Sequence, residues 1–430
     1  MNILITGATG FIGNAILLAL VQQGHKVTAC SRHPEKLLSQ SEHLTRLQID
    51  FETADQAKHW LPHLKNIDAV INCVGIIAET KQQSFAQLHT NAPIALFTAA
   101  AQMGVKKIIQ ISALGADEDA QSAYHLSKRA ADDFLRGLDV AWFVLQPSLV
   151  YGEHAQQSTA FFHALAALPV QMLPDGGGQL LQPIYIDDLA AVVCRCLDAS
   201  ANTRQTLALV GSAPIRYADL LLNLRLRLGK APAKTINLPQ KWLLHFASLG
   251  KFLDTPMLAK DTIPMLYRNN IGDPTPITAI LGRQPLSIHQ QLFAKPASAA
   301  ERWQAHLYFL KPLLPLLIAL VWLWSGITSL FFYPHQASYE LLAATGVTGI
   351  AAPFALYGLA LMDIGLGLAT LARYHLQALL NLQMAIVLVY TIVISVALPE
   401  FWLHPFGPIL KNLPFLMVLW ICAIISRPTL

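Results

Sequence analysis

The tightest constraint on this chain stands at its start: Met1-Asn-Ile-Leu-Ile-Thr-Gly-Ala-Thr-Gly-Phe-Ile-Gly13. A short apolar run passes into Gly7, Gly10 and Gly13, and a helical pattern over residues 11–23 begins inside the glycine run. A strand that hands over to a helix in this way aims backbone N–H groups and a helix N-terminus at a negatively charged diphosphate. Gly7 is expected to allow the tight turn, Gly10 the approach of the phosphates, and Gly13 the packing of helix on strand. Thr9, Phe11 and Ile12 belong to the same turn and are assigned to the site with it. A glycine triplet alone is weak evidence; the strand before it and the helix after it make it a dinucleotide site.

The same alternation continues. Apolar runs at 3–6, 26–30, 44–49, 69–74, 107–112 and 141–146 read as strands. Helical patterns fall near 11–23, 54–61, 84–103 and 122–137. This predicts an α/β fold, a Rossmann-type doubly wound parallel sheet over residues 1–151, with ligand at the carboxyl ends of the strands. Residues 152–302 are less regular, with 205–228 reading as strand, turn and helix, and are expected to form a small substrate-binding region of the same unit.

Composition points to a second kind of domain. The chain of 430 residues is 54% hydrophobic and 13% charged, with a mean hydropathy of +0.43, too apolar for an ordinary soluble enzyme. After residue 311 the charged residues are Glu340, Asp363, Arg373, Glu400, Lys411 and Arg427 alone. Four apolar segments, 312–332, 350–372, 376–398 and 408–425, approach the ~20 residues that cross ~30 Å of hydrocarbon as helix. They lack the polar outer faces that a soluble bundle needs. Residues 303–430 are therefore predicted to be an all-α four-helix transmembrane bundle. Arg302, Lys311, Arg373 and Arg427 fall on one side and Lys411 on the other. That bias predicts a multi-pass protein of the inner (cytoplasmic) membrane, with the N-terminal domain and the C-terminus in the cytoplasm. Met1 leads straight into a strand, so no cleavable signal peptide is expected.

Asp363 lies inside a predicted span, where a carboxylate is costly and normally faces protein or an aqueous cavity. It reads either as a proton or quinone-headgroup site or as a neutral, hydrogen-bonded packing residue. The net charge of +4 comes without a Lys/Arg block, which argues against nucleic acid. The five cysteines are scattered without a CxxC pair, and Pro62 interrupts His59 and His63. Neither a disulfide framework nor a metal site is expected.

Arg32 follows the second predicted strand, where an acid would bind a ribose 2′-hydroxyl. A cation there suits a 2′-phosphate, so NADP(H) is expected over NAD(H). Asp50, closing the third strand, reads as an acceptor for the adenine amino group or as a loop aspartate. Ser112 closes a strand, and Tyr124-His-Leu-Ser-Lys128 lies on a helix with Tyr124 and Lys128 on one face. A phenol titrates near ~10. A neighbouring ammonium and an oxidised nicotinamide are expected to lower that value. Tyr124 could then exchange a proton with a carbonyl or alcohol oxygen held by Ser112, with Lys128 also on the nicotinamide ribose.

Residues 1 to about 300 resemble the extended and atypical short-chain dehydrogenase/reductases. The likeness is carried by the three glycines, Asn91, Ser112, Tyr124-x-x-x-Lys128, Gln146-Pro147-Ser-Leu-Val-Tyr-Gly152 and Gln182-Pro-Ile-Tyr-Ile-Asp-Asp-Leu-Ala190. The branch most similar contains the NADPH-binding accessory subunit of respiratory complex I. The resemblance implies cofactor contacts at the glycine turn, Arg32, Asp50, Gly75, Tyr124, Lys128 and Pro147, and implies that Asn91 helps position the lysine, directly or through water. Three departures stand out: Asn72-Cys-Val-Gly75 in place of an Asn-Asn-Ala-Gly-like turn, Gln146 where arginine often precedes the proline, and a short Ser112-to-Tyr124 spacing. The last 120 or so residues resemble the DoxX-like four-helix membrane module through Trp324-Ser-Gly326 and Asp363-Ile-Gly-Leu-Gly367.

Two functions follow. One is a membrane-anchored NADP(H)-dependent oxidoreductase acting on a carbonyl or alcohol of a lipophilic substrate held near membrane lipid. The other is a non-catalytic nucleotide-binding protein with a structural, assembly or sensing role and a membrane-complex partner.

Overall fold

The computed structural model describes residues 1–430 except 38–40, 81, 153–157, 199–200, 251–258, 260–261 and 427–430. Arg427, used above to orient the chain, lies outside the described residues. Two compact units result, residues 1–306 and 307–430.

In the first unit one parallel sheet contains β1 (Asn2–Thr6), β2 (Lys26–Ser31), β3 (Leu44–Gln48), β4 (Ala69–Asn72), β5 (Lys107–Ile111), β6 (Ala141–Pro147) and an edge strand, Gln205–Leu209. Its order is edge strand, β6, β5, β4, β1, β2, β3, parallel throughout. The order reverses between β1 and β4, and such a switch point opens a crevice at the carboxyl ends of the strands.

Alternation along the strands divides the core in two. Ile3, Ile5, Ile71, Ile109 and Leu145 face Ile16, Leu17 and Leu20 of α1 (Phe11–Gln22). Leu4, Val70, Ile108 and Val144 face the other way, against Leu96, Phe97 and Ala100 of α3 (Ala92–Gln102) and Leu135 of α4 (Ala123–Arg136). Both faces are covered, so β1, β4 and β5 read as nearly continuous apolar runs.

Two predicted helices are divided by proline. The pattern over 54–61 gives only α2 (Ala57–Trp60), followed by a 3-10 turn, Leu61–His63, that contains Pro62. The pattern over 84–103 gives a π-helical turn, Ala86–Asn91, before α3. Pro93 has no N–H for the carbonyl four residues back, and the wider turn sits where that bond is missing. Beyond β6 come α5 (Ser158–Ala167), α6 (Ile186–Leu197) and short strand pairs, such as Val170–Pro174 with Lys234–Leu238.

The second unit is helical. Leu310–Phe332, Ala351–Leu371 and Leu376–Ala397 are long and apolar enough to cross a membrane. The fourth apolar segment forms the 14-residue helix Asn412–Ile425, about 21 Å at 1.5 Å per residue. Residues 408–411, which follow Gly407 at φ +50°, form a turn instead of the first residues of this helix. An additional short helix, His335–Ala344, lies between the first two long ones. Those two approach through small residues. A Cβ at Gly326 would lie 2.5 Å from the Ala360 carbonyl oxygen, and one at Gly367 would lie 2.6 Å from Leu323 Cγ. Beside this contact Ser325 Oγ donates to Asp363 Oδ2 at 2.8 Å. The outward side chains are apolar, Leu320, Ile392 and Val396 among them.

Candidate functional site

The glycine turn is built for close approach. Gly7 sits at φ +66°, and a Cβ there would fall 2.9 Å from the Cys73 carbonyl. The Gly10 N–H donates to Gly7 O at 2.9 Å, closing the turn. A Cβ on Gly13 would strike the Gly7 carbonyl group. Helix α1 then starts without a side-chain cap and without an acid in its first turn. Its leading N–H groups therefore have no intrahelical acceptor, the condition under which a helix end accepts an anion. These residues fit a dinucleotide diphosphate.

Around the turn, Thr9 Oγ1 and Ser31 Oγ are 2.9 Å apart. Arg32 is exposed, and with the Gln83 amide turned to face it the guanidinium donates to the Gln83 oxygen at 2.8 and 3.1 Å. Asp50 Oδ1 accepts from the Glu52 N–H at 3.0 Å, the bond of a loop aspartate, so the plain reading has a visible partner.

Lys128 is buried, 4% exposed, and its Nζ donates to Val74 O and Ile111 O, each at 3.1 Å. Burial pulls its ammonium down to about 8, against the pull of the Asp132 carboxylate. Gly75 lies against it: a Cβ there would be 2.9 Å from Nζ. Asn91, expected to help position this lysine, is not among its direct hydrogen-bond partners. It is exposed, and its Nδ2 donates to Gln87 Oε1 at 3.3 Å. The π-helical turn instead buries His89. The Ile76 N–H donates to His89 Nε2 at 3.0 Å, so Nδ1 carries the proton and faces Ser127 Oγ at 2.9 Å. Burial and the Lys128 charge push His89 down to about 2, so it is neutral. Ser127 Oγ in turn donates to the Tyr124 carbonyl at 2.8 Å.

Two expectations about the catalytic group are corrected. Tyr124 is ringed by Phe85, His89 and His125. Burial, with the Asp132 charge added, raises its phenol to about 12 rather than lowering it. Ser112, also buried, donates its hydroxyl to Asp132 Oδ2 instead of facing a substrate oxygen. Asp132 is fully buried, and burial raises its carboxyl to about 6. Its position four residues after Lys128 on α4 was the available sequence signal; His89 had none beyond lying in an apolar helix.

A cavity of about 540 Å³ joins these parts. Gly10, Phe11, Ile12, Gly13, Gly75, Ser112, Tyr124, Lys128 and Pro147 line it, together with Tyr217, Arg268 and Asn269 from the less regular region. Gly7, Thr9, Arg32, Asp50 and Asn91 lie outside that lining. No cluster of metal-ligating side chains occurs among the described residues.

Residues 7–199 match the NAD(P)H-binding family, and residues 319–420 match the DoxX-like family. Subunit 9 of the NADH dehydrogenase [ubiquinone] 1 alpha subcomplex from Mus musculus is 25% identical over 293 residues, covering 65% of this chain and 75% of that protein. Ceramide reductase from Caulobacter vibrioides is 28% identical over 193 residues, 44% of this chain and 58% of that protein. Among solved structures, an NADPH-dependent quinone oxidoreductase from Escherichia coli, complexed with NADPH, superposes with a TM-score of 0.54 at 20% identity, over 67% of this chain and 98% of that one. A nucleoside-diphosphate-sugar epimerase from Staphylococcus aureus gives 0.55 at 17% identity, over 68% and 99%. At such identities the structures establish the fold alone. The chain thus joins an NAD(P)-binding Rossmann-type domain, related to the complex I subunit, to a DoxX-like domain whose three long apolar helices fit a membrane.

Proposed function

We propose that this protein is a membrane-anchored, NADPH-dependent reductase of the short-chain dehydrogenase/reductase type acting on a carbonyl of a lipophilic substrate. The observation that carries the reading is the shared cavity: Tyr124 and Lys128 line the same space as the glycine turn. A bound nicotinamide supplies the hydride. The protein's part is the proton. With its phenol raised to about 12, Tyr124 is protonated at neutral pH and acts as the acid toward a carbonyl oxygen. Ser112 is committed to Asp132, so Tyr124 carries this step without it. Lys128 holds positive charge beneath the site, and His89 fixes the backbone on which Tyr124 stands through Ser127.

Arg32, with no acid at the end of β2, supports NADPH over NADH. The apolar helices, and a ceramide reductase among the relatives, support a lipid-like substrate. Residues 152–302 are taken as the substrate-binding part and 303–430 as the anchor. Arg302, Lys311 and Arg373 support a nucleotide domain on the cytoplasmic side of an inner membrane.

The test is full-length protein in detergent, followed by NADPH absorbance against carbonyl and quinone substrates. Tyr124→Phe should lower turnover by roughly 10²–10⁴ while retaining nucleotide. Reduction confined to water-soluble carbonyls would count against the lipophilic substrate. A second reading, a nucleotide held as a structural or sensing element in a membrane complex, draws on the complex I relatives and on the Ser112–Asp132 pairing. Nucleotide that binds and never turns over would favour it.

A further inference from the structure

The helix Ala299–Leu307 is the last element before the apolar helix that begins at Leu310, and residues 308 and 309 separate the two. Extended chain covers at most about 3.6 Å per residue, so this helix stays within roughly 11 Å of the start of the span. One side of it is fixed. Ala305 is buried, and the Glu301 carboxylate accepts from Arg227 at 2.8 Å in a largely enclosed ion pair. Trp303 stands two residues from each, on the opposite side of the helix. It is 70% exposed, and Leu307, one turn on, is 39% exposed. Beside a membrane span, an outward indole and leucine are the side chains that enter the boundary between headgroups and acyl chains.

Charge fits the same surroundings. Glu301 is neutralised by Arg227, whereas Lys295, Arg302 and Lys311 are exposed. Arg302 donates to a neutral group, the Ala297 carbonyl, at 3.0 and 3.2 Å. Cations gathered next to a span are attracted to anionic lipid. The helix is also tied to the site. Arg227 closes the helix Tyr217–Arg227, and Tyr217 at the other end of that helix lines the larger cavity. The Glu301–Arg227 pair therefore links the exposed helix to a wall of that cavity.

We propose that the helix Ala299–Leu307 lies in the headgroup layer of an anionic bilayer, with Trp303 and Leu307 turned into it, and that the Glu301–Arg227 pair thereby braces the substrate-binding region at the lipid surface. The proposal rests on the membrane-anchor reading above and is independent of the reaction that the cavity performs.

The test uses full-length protein in nanodiscs of phosphatidylcholine mixed with phosphatidylglycerol, with a nitroxide on Ala300→Cys, an exposed position of the same helix. Wild-type protein treated with the same reagent supplies the background of the native cysteines. The label should collide more often with oxygen, which enters lipid, than with a water-soluble nickel chelate. Trp303→Glu should reverse that order. Arg302→Gln should lower the ratio of docked to free label about fivefold, the worth of one cation at an anionic surface. Both side chains are exposed, so both variants should melt near the wild-type temperature. A label that stays in water, one shielded from oxygen and nickel alike as in a contact with protein, or one indifferent to Trp303→Glu would each overturn the docking. Failure of the membrane-anchor reading looks different: the protein then elutes free of nanodiscs, and the docking falls with it.

Discussion

Ser112 lines the nucleotide cavity and its hydroxyl donates to Asp132 Oδ2, while Asp132 Oδ1 has no hydrogen-bond partner. This pairing turns a residue expected to face substrate into a ligand for a buried acid. It also makes Asp132 a point where pH acts on the fold.

The Asp132 carboxyl titrates near about 6 in the folded chain, against 3.8 for the ordinary group. On raising pH the unfolded state therefore releases this proton first. The stabilisation from a protonated Asp132 is complete below the unfolded value and is lost as pH rises through about 6. Asp132→Asn removes the titration. Its unfolding free energy relative to wild type should improve by a few kcal/mol between pH 4 and 7, read from denaturant midpoints. Wild-type and variant curves that stay parallel would contradict the burial argument.

Lys128 loses its proton near about 8. If its ammonium attracts the nucleotide, NADPH affinity should weaken as pH rises through that value. Lys128→Met should bind more weakly at pH 7 and show no such step. Fluorescence titration at pH 6.5 to 9.5 distinguishes a step from a flat line.

Glycine substitutions separate strain from collision. Gly24 has φ +77° with nothing within 4 Å of a Cβ, so Gly24→Ala should cost only the left-handed penalty, roughly 1–2 kcal/mol. A Cβ at Gly13 would instead lie 2.8 Å from the Gly7 carbonyl carbon. Gly13→Ala should push α1 off the turn and abolish NADPH protection against heat. Equal melting temperatures and equal NADPH shifts for the two variants would refute the assigned role.

The same contrast exists between the apolar helices. Gly358 has open space at its Cβ, whereas Gly367 faces Leu323 and Ala319. In detergent, Gly358→Leu should unfold near the wild-type temperature and Gly367→Leu well below it. Similar losses for both would mean that the first two long helices do not depend on this contact.

Removing the guanidinium tests cofactor choice. Arg32→Ala should raise the Kd for NADPH by tenfold or more and leave that for NADH within about twofold, because only the former carries a 2′-phosphate. Equal effects on both nucleotides would assign Arg32 to the Gln83 contact alone.

By itself the sequence determined the parts whose causes are local. Alternating apolar runs fixed the strands, and the spacing of Gly7, Gly10 and Gly13 fixed the turn, because a Cβ at each of those positions meets backbone. Apolar length and missing charge likewise marked the helices after residue 307. Tertiary structure decided what depends on several elements meeting. It set the direction of the Tyr124 shift, since a neighbouring ammonium and enclosing aromatic rings oppose each other and only the packed site tells which wins. Packing also turned Asn91 outward and brought His89 in, because a π-helical turn rotates the residues that precede Pro93. Ser112 lines the cavity, yet its proton goes to Asp132, because a hydroxyl donates to whichever acceptor the folded chain puts beside it.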